Sequence, residues 1–284
     1  MAFASKQETG KEFEFTRHDF ERVRSLIYAR AGIALADSKQ EMVYSRLARR
    51  LRATGIGSFA AYLAELEANR MPNEWEAFTN ALTTNLTSFF REAHHFPLLA
   101  EHAKQARRDN GGQPLAIWCS ASSTGEEPYS IAMTLCEAFN TLTPPVAIIA
   151  TDIDTNVLAT AGAGVYPIER VDKMAPERLR RFFLKGRGAQ EGLVRVRPEL
   201  RNLITFRPLN LLGDDWPVRG PFDAIFCRNV MIYFDKDTQR RILSRFVPLM
   251  KPDALLFAGH SENFLYVSNA LRLRGKTVYE LSQG

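Results

Sequence analysis

Apolar residues recur every three or four positions through the first 70 residues of the chain. This spacing places them on one face of a helix. The pattern predicts three helices, over about residues 16–32, 38–55 and 58–68. Thr16 is a good N-cap for the first helix, and Gly32 and Gly55 are typical residues for a helix end. The first part of the chain is therefore predicted to be all-helical.

A different pattern begins near residue 115. Nearly continuous apolar runs alternate with helical stretches, which is typical of a parallel sheet covered by helices on both faces. The predicted strands are 115–121, 146–152, 204–210, 222–229 and 254–260, and the predicted helices are 126–140, 154–162 and 236–249. The last stretch, 271–281, turns at Gly275 and Lys276 and is predicted to close the sheet as an antiparallel hairpin. We therefore expect an α/β fold.

One segment, residues 178–202, interrupts this alternation. Leu193 to Arg197 alternates apolar and basic side chains, as a half-exposed strand does, and Gly186, Gly188 and Gly192 precede it. The pattern predicts a small antiparallel β insertion, with a long decorated loop as the alternative. An exposed strand edge of this kind can receive a peptide as an added strand.

These patterns divide the chain into three parts. We predict an N-terminal helical domain over 1–70, a linker helix over 71–84, and an α/β domain over 85–284 that carries the insertion. The linker is indicated by Met71-Pro72-Asn73, where proline and asparagine interrupt the helical pattern.

The composition narrows the class of protein. The chain has 284 residues, of which 45% are hydrophobic and 24% charged, as in ordinary globular proteins. Cys119, Cys136 and Cys227 lie far apart in apolar runs and match no metal-ligand spacing, so we expect reduced core residues and no metal site. Met1 to Glu14 is polar and unlike a signal peptide, and no apolar run reaches membrane-spanning length. These features predict a cytoplasmic protein.

The first predicted strand leads into a loop of small residues, Ser120 to Gly125, and then into a helix that begins with Glu126 and Glu127. Small residues allow a ligand to approach the backbone, and this order of elements is typical of nucleotide-cofactor folds. The two glutamates would repel a pyrophosphate, so the loop suits a cationic or ribose-bearing ligand better. An acidic helix N-terminus stabilised by the helix dipole is the alternative interpretation.

Polar residues also end the strands that follow. Asp152, Asn210, Arg228 and Asn229 lie at three successive predicted strand ends. Ligands bind outside the carboxyl ends of the strands in open α/β sheets, so we expect these residues to line one crevice. Asp152 is predicted to accept hydrogen bonds from ribose hydroxyls, and Asp154 to cap the next helix.

The residues alone leave two other functions open. An NAD-dependent oxidoreductase would use the same scaffold, which Asp152 favours and the missing glycine pattern disfavours. The net charge of +5 and the arginines of the second helix would also suit a nucleic-acid-binding module. That module lacks the interleaved exposed aromatic residues expected for single strands. The five histidines show no catalytic or metal-binding spacing, so structural or surface roles are predicted for them.

Four separated motifs narrow these choices. They are Thr83–Glu92 (TTNLTSFFRE), Ser123–Ser130 (STGEEPYS), Thr151–Asp154 (TDID) and Phe226–Phe234 (FCRNVMIYF). Together, and in this order, they closely resemble the chemotaxis receptor glutamate methyltransferases, the CheR family. The resemblance spans about residues 15–281 and implies a Rossmann-like enzyme that uses S-adenosylmethionine. Such an enzyme converts receptor glutamates to methyl esters and releases S-adenosylhomocysteine.

The resemblance also implies which residues form the site. The cofactor site would be lined by Asn85, Thr87, Arg91, Glu126, Asp152, Asn210, Leu211, Arg228 and Asn229. Arg91 and Tyr233 would face the reacting centre, with a structural ion pair to Glu92 or to a neighbouring residue as the alternative for Arg91. Because this cofactor has a sulfonium and an amino acid tail but no phosphate, the missing glycine cradle is accounted for.

Two further surfaces acquire a role from the resemblance. The helical domain would dock acidic receptor helices through Arg46, Arg49 and Arg52. The insertion would hold a short peptide from the receptor's C-terminal end through Gly186, Gly188, Gly192 and Arg195. A peptide tether raises the effective concentration of substrate, and an enzyme held in this way can act as a monomer.

Overall fold

The computed structural model describes residues 11–282. Residues 1–10 belong to the predicted N-terminal domain and residues 283–284 to the predicted α/β domain, and both segments lie outside the described part. The chain divides into two compact units after Leu82. The predicted linker helix, 71–84, therefore falls largely within the first unit.

The first unit is all-helical, as predicted. Its helices are α1 (Arg17–Ala31), α2 (Gln40–Thr54), α3 (Phe59–Glu67) and α4 (Glu74–Leu82). Thr16 caps α1 in a reciprocal box with Asp19, and Gly32 ends it with φ 68° in the left-handed region. Fully buried residues from the helices, including Phe20, Leu47 and Phe78, form the core of this unit.

The second unit alternates strands and helices. Its strands are β1 (Leu115–Cys119), β2 (Val146–Asp152), β3 (Val165–Pro167), β4 (Phe183–Lys185), β5 (Leu193–Val196), β6 (Ile204–Pro208), β7 (Phe222–Cys227), β8 (Met250–Ala258), β9 (Leu271–Gly275) and β10 (Val278–Leu281). Its helices are α5 (His95–Asp109), α6 (Glu126–Ala138), α7 (Thr155–Ala163), α8 (Pro176–Phe182), α9 (Pro198–Arg201) and α10 (Lys236–Phe246). Helix α5 precedes the sheet.

Seven of these strands form the main sheet, in the order β6-β2-β1-β7-β8-β10-β9. The first five are parallel, and β10 and β9 close the edge as an antiparallel hairpin, as predicted. The chain proceeds outward from β1 through β2 to β6 on one side and from β7 to β8 on the other. The strand order thus reverses between β1 and β7, and such a switch point is the usual ligand site of an open α/β sheet.

A separate sheet of three short antiparallel strands has the order β3-β5-β4. The antiparallel insertion is therefore present. It is larger than the predicted 178–202, because β3 at Val165–Pro167 pairs with β5. A three-residue strand gives too short an alternation to be recognised in the sequence.

Two further predictions concern the interior and the membrane. Cys119, Cys136 and Cys227 are all buried and free. Among the described residues, no helix combines the length and the apolar character needed to cross a bilayer.

Candidate functional site

The loop between β1 and α6 lies at the switch point. Gly125 precedes α6 with φ 98°, in the left-handed region where glycine is favoured. A Cβ at this position would lie 2.8 Å from both Ala161 Cβ and Tyr166 Oη. Glycine is therefore required here both by the turn into α6 and by the close approach of α7 and β3.

Asp152 ends β2 and is 8% exposed. Its two carboxylate oxygens accept from backbone N–H groups, Oδ2 from Ser123 at 2.8 Å and Oδ1 from Asp154 at 3.0 Å. Burial raises the pKa of Asp152 to about 6, against the lowering effect of these hydrogen bonds. A carboxylate offers about four acceptor positions, so each oxygen can still accept a further hydrogen bond.

Asp154 caps α7, as predicted. Its Oδ1 accepts from the backbone N–H of Asn156 at 3.0 Å, and its Oδ2 accepts from Thr83 Oγ1 at 2.7 Å and Asn85 Nδ2 at 2.8 Å. The carboxylate thereby fixes the start of the first motif beside the end of β2. Asn85 is half-buried at this junction.

Glu126 is fully buried at the start of α6. Its Oε2 accepts from Thr124 Oγ1 at 2.6 Å, and its Oε1 pairs with Arg170 Nη2. The same arginine nitrogen donates to the backbone carbonyl of Thr87 at 3.0 Å. Arg170 therefore joins two of the predicted cofactor residues, although no motif had drawn attention to it.

Arg228 lies just after β7 with its side chain 1% exposed. Its Nη1 contacts Glu127 Oε2 at 2.7 Å, and its Nη2 contacts the carbonyl of Arg91 at 2.6 Å and Glu92 Oε2 at 3.4 Å. Burial raises the pKa of Glu127, which the attraction of Arg228 opposes. The side chain of Arg228 thus crosslinks the first, second and fourth motifs.

Glu92 is held in its ionised form. Burial opposes this, but the charge of Arg228 and hydrogen bonds from His260 and Asn229 hold its pKa at about 2. The alternative interpretation had paired Glu92 with Arg91. In the structure Arg91 Nη1 instead donates to the carbonyl of Leu86 at 2.8 Å.

The remaining predicted residues surround the same strand ends. Asn229 follows Arg228 with φ 58°, and its Nδ2 lies 3.4 Å from Glu92 Oε1. Asn210 follows β6 and accepts from the backbone N–H of Leu212 at 2.9 Å, beside the buried Leu211. Tyr233 is half-buried at the end of a short 3₁₀ turn, Met231–Tyr233.

The arginines of α2 differ in their contacts. Arg46 donates to the carbonyl of Ala81 at 3.2 Å, and Arg52 pairs with Glu12 at 2.9 Å. Arg49 is exposed, and within residues 11–282 it has no hydrogen bond or ion pair.

The predicted peptide residues lie in or beside the three-stranded sheet. Gly186 follows β4, where a Cβ would lie 1.9 Å from the carbonyl oxygen of Gln190, so a tight turn requires glycine there. Gly188 and Gly192 have positive φ values of 57° and 81° in the same connection. Arg195 is exposed on the central strand, where it faces Val165 and Leu184 in register.

Three possible metal ligands lie beside Arg228. Ligand atoms of Glu92, His94 and His95 lie within 4.8 Å of one another. Burial, reinforced by the charge of Arg228, lowers the pKa of His95 to about 4. The guanidinium of Arg228, 3.4 Å from Glu92 Oε2, would repel a divalent cation, so we interpret the group as part of the ion-pair network.

Several supporting residues lay outside the reach of sequence reasoning. Glu92 and Glu127 stood inside recognised motifs, but their partner Arg228 is more than 100 positions away. Glu262 lies in the loop after β8, where its carboxylate contacts the backbone at Asn229. Neither spacing nor composition distinguishes such a residue from a solvated loop glutamate.

Two protein-family models match the chain, and the residues of the site lie within the matched ranges. The family described as "CheR methyltransferase, SAM binding domain" matches residues 85–279. The family described as "CheR methyltransferase, all-alpha domain" matches residues 18–83. Together these two matches cover both compact units.

Individual relatives are similar over nearly their full length. The chain is 58% identical over 264 residues to a chemotaxis protein methyltransferase of Escherichia coli, covering 93% of this chain and 91% of the relative. It is also 58% identical over 264 residues to that of Salmonella typhimurium, with 93% and 90% covered. A chemotaxis protein methyltransferase 2 of Pseudomonas aeruginosa is 56% identical over 269 residues, with 95% of each chain covered.

Proposed function

The chain belongs to the CheR methyltransferase family, and from that membership we propose that it methylates glutamate side chains of chemoreceptors. It is an S-adenosylmethionine-dependent methyltransferase of chemotaxis. The methyl acceptor, the receptor contacts and the residue roles are the proposed part. Neither the oxidoreductase nor the nucleic-acid-binding alternative receives support from the relatives.

The observation that carries the proposal is the convergence of the four motifs at one switch point. Asp152 ends β2, Glu126 begins the helix that follows β1, and Arg228 follows β7, so the three lie at the carboxyl ends of neighbouring strands. The buried hydroxyl of Ser122, in the loop after β1, has no hydrogen-bond partner within residues 11–282. A ligand with several polar groups fits such a site.

We assign cofactor binding to the residues that line these loops. Each carboxylate oxygen of Asp152 already accepts one backbone hydrogen bond, and its remaining acceptor position would bind a ribose hydroxyl. Glu126 would face the cationic end of the cofactor, and Asn85, Thr87, Asn210, Leu211 and Asn229 would complete the wall. When bound, the cofactor supplies an electrophilic methyl group.

The receptor glutamate needs positioning rather than deprotonation. A carboxylate is already ionised at neutral pH and is itself the nucleophile, so no general base is required. Holding two reactants in line can contribute about 7–11 kcal/mol. One guanidinium nitrogen of Arg91 donates to the carbonyl of Leu86, and its other N–H groups would donate to the substrate carboxylate. Tyr233 would orient the same substrate group.

Two surfaces would bind the receptor. The exposed Arg49, with Arg46 and Arg52 on the same helix, would attract acidic receptor helices. The outer strands of the three-stranded sheet would accept a receptor C-terminal peptide, with Arg195 near an acidic group of that peptide. The proposal places the enzyme in the cytoplasm, acting as a monomer on tethered substrate.

A labelled methyl group tests the reaction. Incubation of the protein and candidate receptors with methyl-labelled S-adenosylmethionine should label the receptor. Because a glutamate methyl ester is labile, mild base should then release the label as methanol. Label that resists base would refute the proposed acceptor group.

Ligand binding tests the alternatives separately. S-adenosylhomocysteine should raise the thermal midpoint, and NAD and an oligonucleotide should leave it unchanged. A receptor tail peptide should bind at submillimolar concentration, and the absence of binding there would refute the tether alone.

A further inference from the structure

The buried carboxylate of Glu262 accepts hydrogen bonds from four backbone N–H groups. Oε1 accepts from Val230 at 2.9 Å and Met231 at 2.7 Å, and Oε2 accepts from Asn229 at 2.9 Å and Gly259 at 2.5 Å. Glu262 is 4% exposed. One side chain from the loop after β8 thus holds three consecutive residues that follow β7.

The segment it holds has a conformation that needs support. Asn229 has φ 58°, a left-handed value that asparagine adopts more readily than other residues with a side chain but less readily than glycine. The 3₁₀ turn that carries Tyr233 begins at Met231, immediately after the first two bonded amides. Glu262 therefore fixes both the left-handed bend and the start of the turn.

The loop after β8 is also shaped to admit this segment. A Cβ at Gly259 would lie 2.4 Å from Asn229 Nδ2 and 2.9 Å from the backbone nitrogen of Asn229. The backbone N–H of Glu262 donates to the carbonyl of Gly259 at 2.9 Å, which closes a tight turn. Glycine at 259 and glutamate at 262 thus act together on Asn229.

The charge of Glu262 is balanced by these amides. Within residues 11–282, no lysine, arginine or histidine forms an ion pair with it. Burial raises its pKa, against the lowering effect of the four hydrogen bonds. Burying a carboxylate costs free energy of folding. If this position only had to be filled, an apolar side chain would fill it at lower cost.

We infer that Glu262 is a positioning residue for methyl transfer, holding Asn229 and Tyr233 in the conformation that serves the cofactor and the substrate carboxylate. This inference rests on the proposed function, which gives Asn229 and Tyr233 those roles. Glu262 touches neither ligand in the proposal and acts only through the backbone of residues 229–231.

The test replaces Glu262 with glutamine, which keeps the shape but offers one acceptor oxygen and an amide that repels N–H donors. Asp223→Asn is the matched control. Asp223 is also a buried carboxylate, 3% exposed, that accepts from the backbone N–H of Ala116 at 2.8 Å; unlike Glu262, it also pairs with a lysine, Lys251, at 2.7 Å. It lies at the opposite end of β7.

Three quantities are measured for each protein: the dissociation constant for S-adenosylhomocysteine, kcat for receptor methylation, and the thermal midpoint. Because a displacement of about 1 Å at a reacting centre can cost about 100-fold, we expect Glu262→Gln to lower kcat about 10- to 100-fold. It should also weaken S-adenosylhomocysteine binding about 10-fold. Asp223→Asn should lower the thermal midpoint and leave the other two quantities within about twofold.

A second variant perturbs the same segment but keeps the Glu262 carboxylate in the chain, although a Cβ at 259 would also lie 2.9 Å from Glu262 Oε2. Gly259→Ala places a methyl group against Asn229, so it should reproduce the losses in binding and kcat. In amide NMR spectra, Glu262→Gln should shift the four bonded amides upfield, since they no longer donate to a carboxylate.

Unchanged binding and kcat in Glu262→Gln, with those amides shifted, would overturn the inference. So would equal losses in Asp223→Asn, since these would mark a general effect of stability. If the unsubstituted protein neither bound S-adenosylhomocysteine nor methylated a receptor, the proposed function itself would fail, and the two failures are therefore distinguishable.

Discussion

The ion pair between Arg228 and Glu127 should have a much larger coupling energy than a more exposed pair of similar geometry. Nη1 and Oε2 are 2.7 Å apart, and the two side chains are 1% and 11% exposed. Two charges whose centres are about 4 Å apart attract by about 4 kcal/mol at an effective dielectric constant of about 20, and by about 1 kcal/mol in water. Burial therefore decides the size of the interaction.

The single substitutions should have unequal effects. Arg228→Met leaves Glu127 and Glu92 buried with no cation between them, so it should lower the free energy of unfolding by about 3–5 kcal/mol. Glu127→Gln should cost less, because Arg228 keeps Glu92 and the carbonyl of Arg91 as partners. The double variant should recover about 2–4 kcal/mol relative to the sum of the singles.

A more exposed pair in the same unit provides the control. Arg178 and Glu137 make two contacts of 2.7 and 2.8 Å, with side chains 37% and 29% exposed. Their coupling energy should be about 0.2–1 kcal/mol. Both cycles can be measured by urea unfolding, followed through the fluorescence of the buried Trp118.

Salt separates the two cycles further. Raising ionic strength to about 1 M should reduce the Arg178–Glu137 coupling strongly and the Arg228–Glu127 coupling little, since buried pairs are poorly screened. A coupling energy for Arg228 and Glu127 no larger than that of the surface pair would refute the argument from burial.

Three more changes have definite outcomes. Gly125→Ala should lower the free energy of unfolding by about 1–3 kcal/mol in urea titrations, because its Cβ meets Ala161 and Tyr166 at 2.8 Å and φ is positive. Burial lowers the pKa of His95 to about 4 in the folded protein. The stabilisation that the neutral imidazole gives to the fold is therefore fully present above its unfolded pKa of about 6.5 and is lost as pH falls toward 4. As pH falls from about 6.5 to about 4, the free energy of unfolding of the parent should therefore decrease by about 3 kcal/mol more than that of His95→Gln. Arg49→Glu should slow receptor methylation more at low salt than at high salt in initial-rate assays, and equal rates throughout would contradict a docking role.

Much of the fold follows from local signals. The helix ends at Gly32 and Gly55 depend on φ values of 68° and 73°, and glycine announces such positions in the sequence. Strand β7 is buried throughout, and β1 and β2 are buried except at Ala116, Ala147 and Ile149, so nearly continuous apolar runs predict all three. Asp154 could be predicted as a cap because its partners are two and three residues away.

Contacts between distant segments could not be predicted in this way. The sequence does not show that α7 and Tyr166 fill the space beside Gly125. Glu127 lies in the first turn of α6, as the dipole interpretation expects, but the sequence does not reveal that its partner is Arg228, which follows another strand. Both contacts arise from packing that only the sheet order determines.

The distribution of partners also changes the electrostatic argument for the cofactor. Glu126 pairs with Arg170, and Glu127 and Glu92 share Arg228, so two arginines offset most of the charge of these three carboxylates. The pair of glutamates therefore attracts a cationic ligand less than the sequence implied.

Asp152 differs from these acids, since within residues 11–282 it forms no ion pair and is held by backbone N–H groups. Its pKa of about 6 shows that burial outweighs those hydrogen bonds. A neutral hydrogen-bond donor such as a ribose hydroxyl would stabilise the ionised form of Asp152, and no existing ion pair would have to break for it to bind. The acid with no cationic partner is thus better suited to the cofactor than the two glutamates that first indicated a charged ligand.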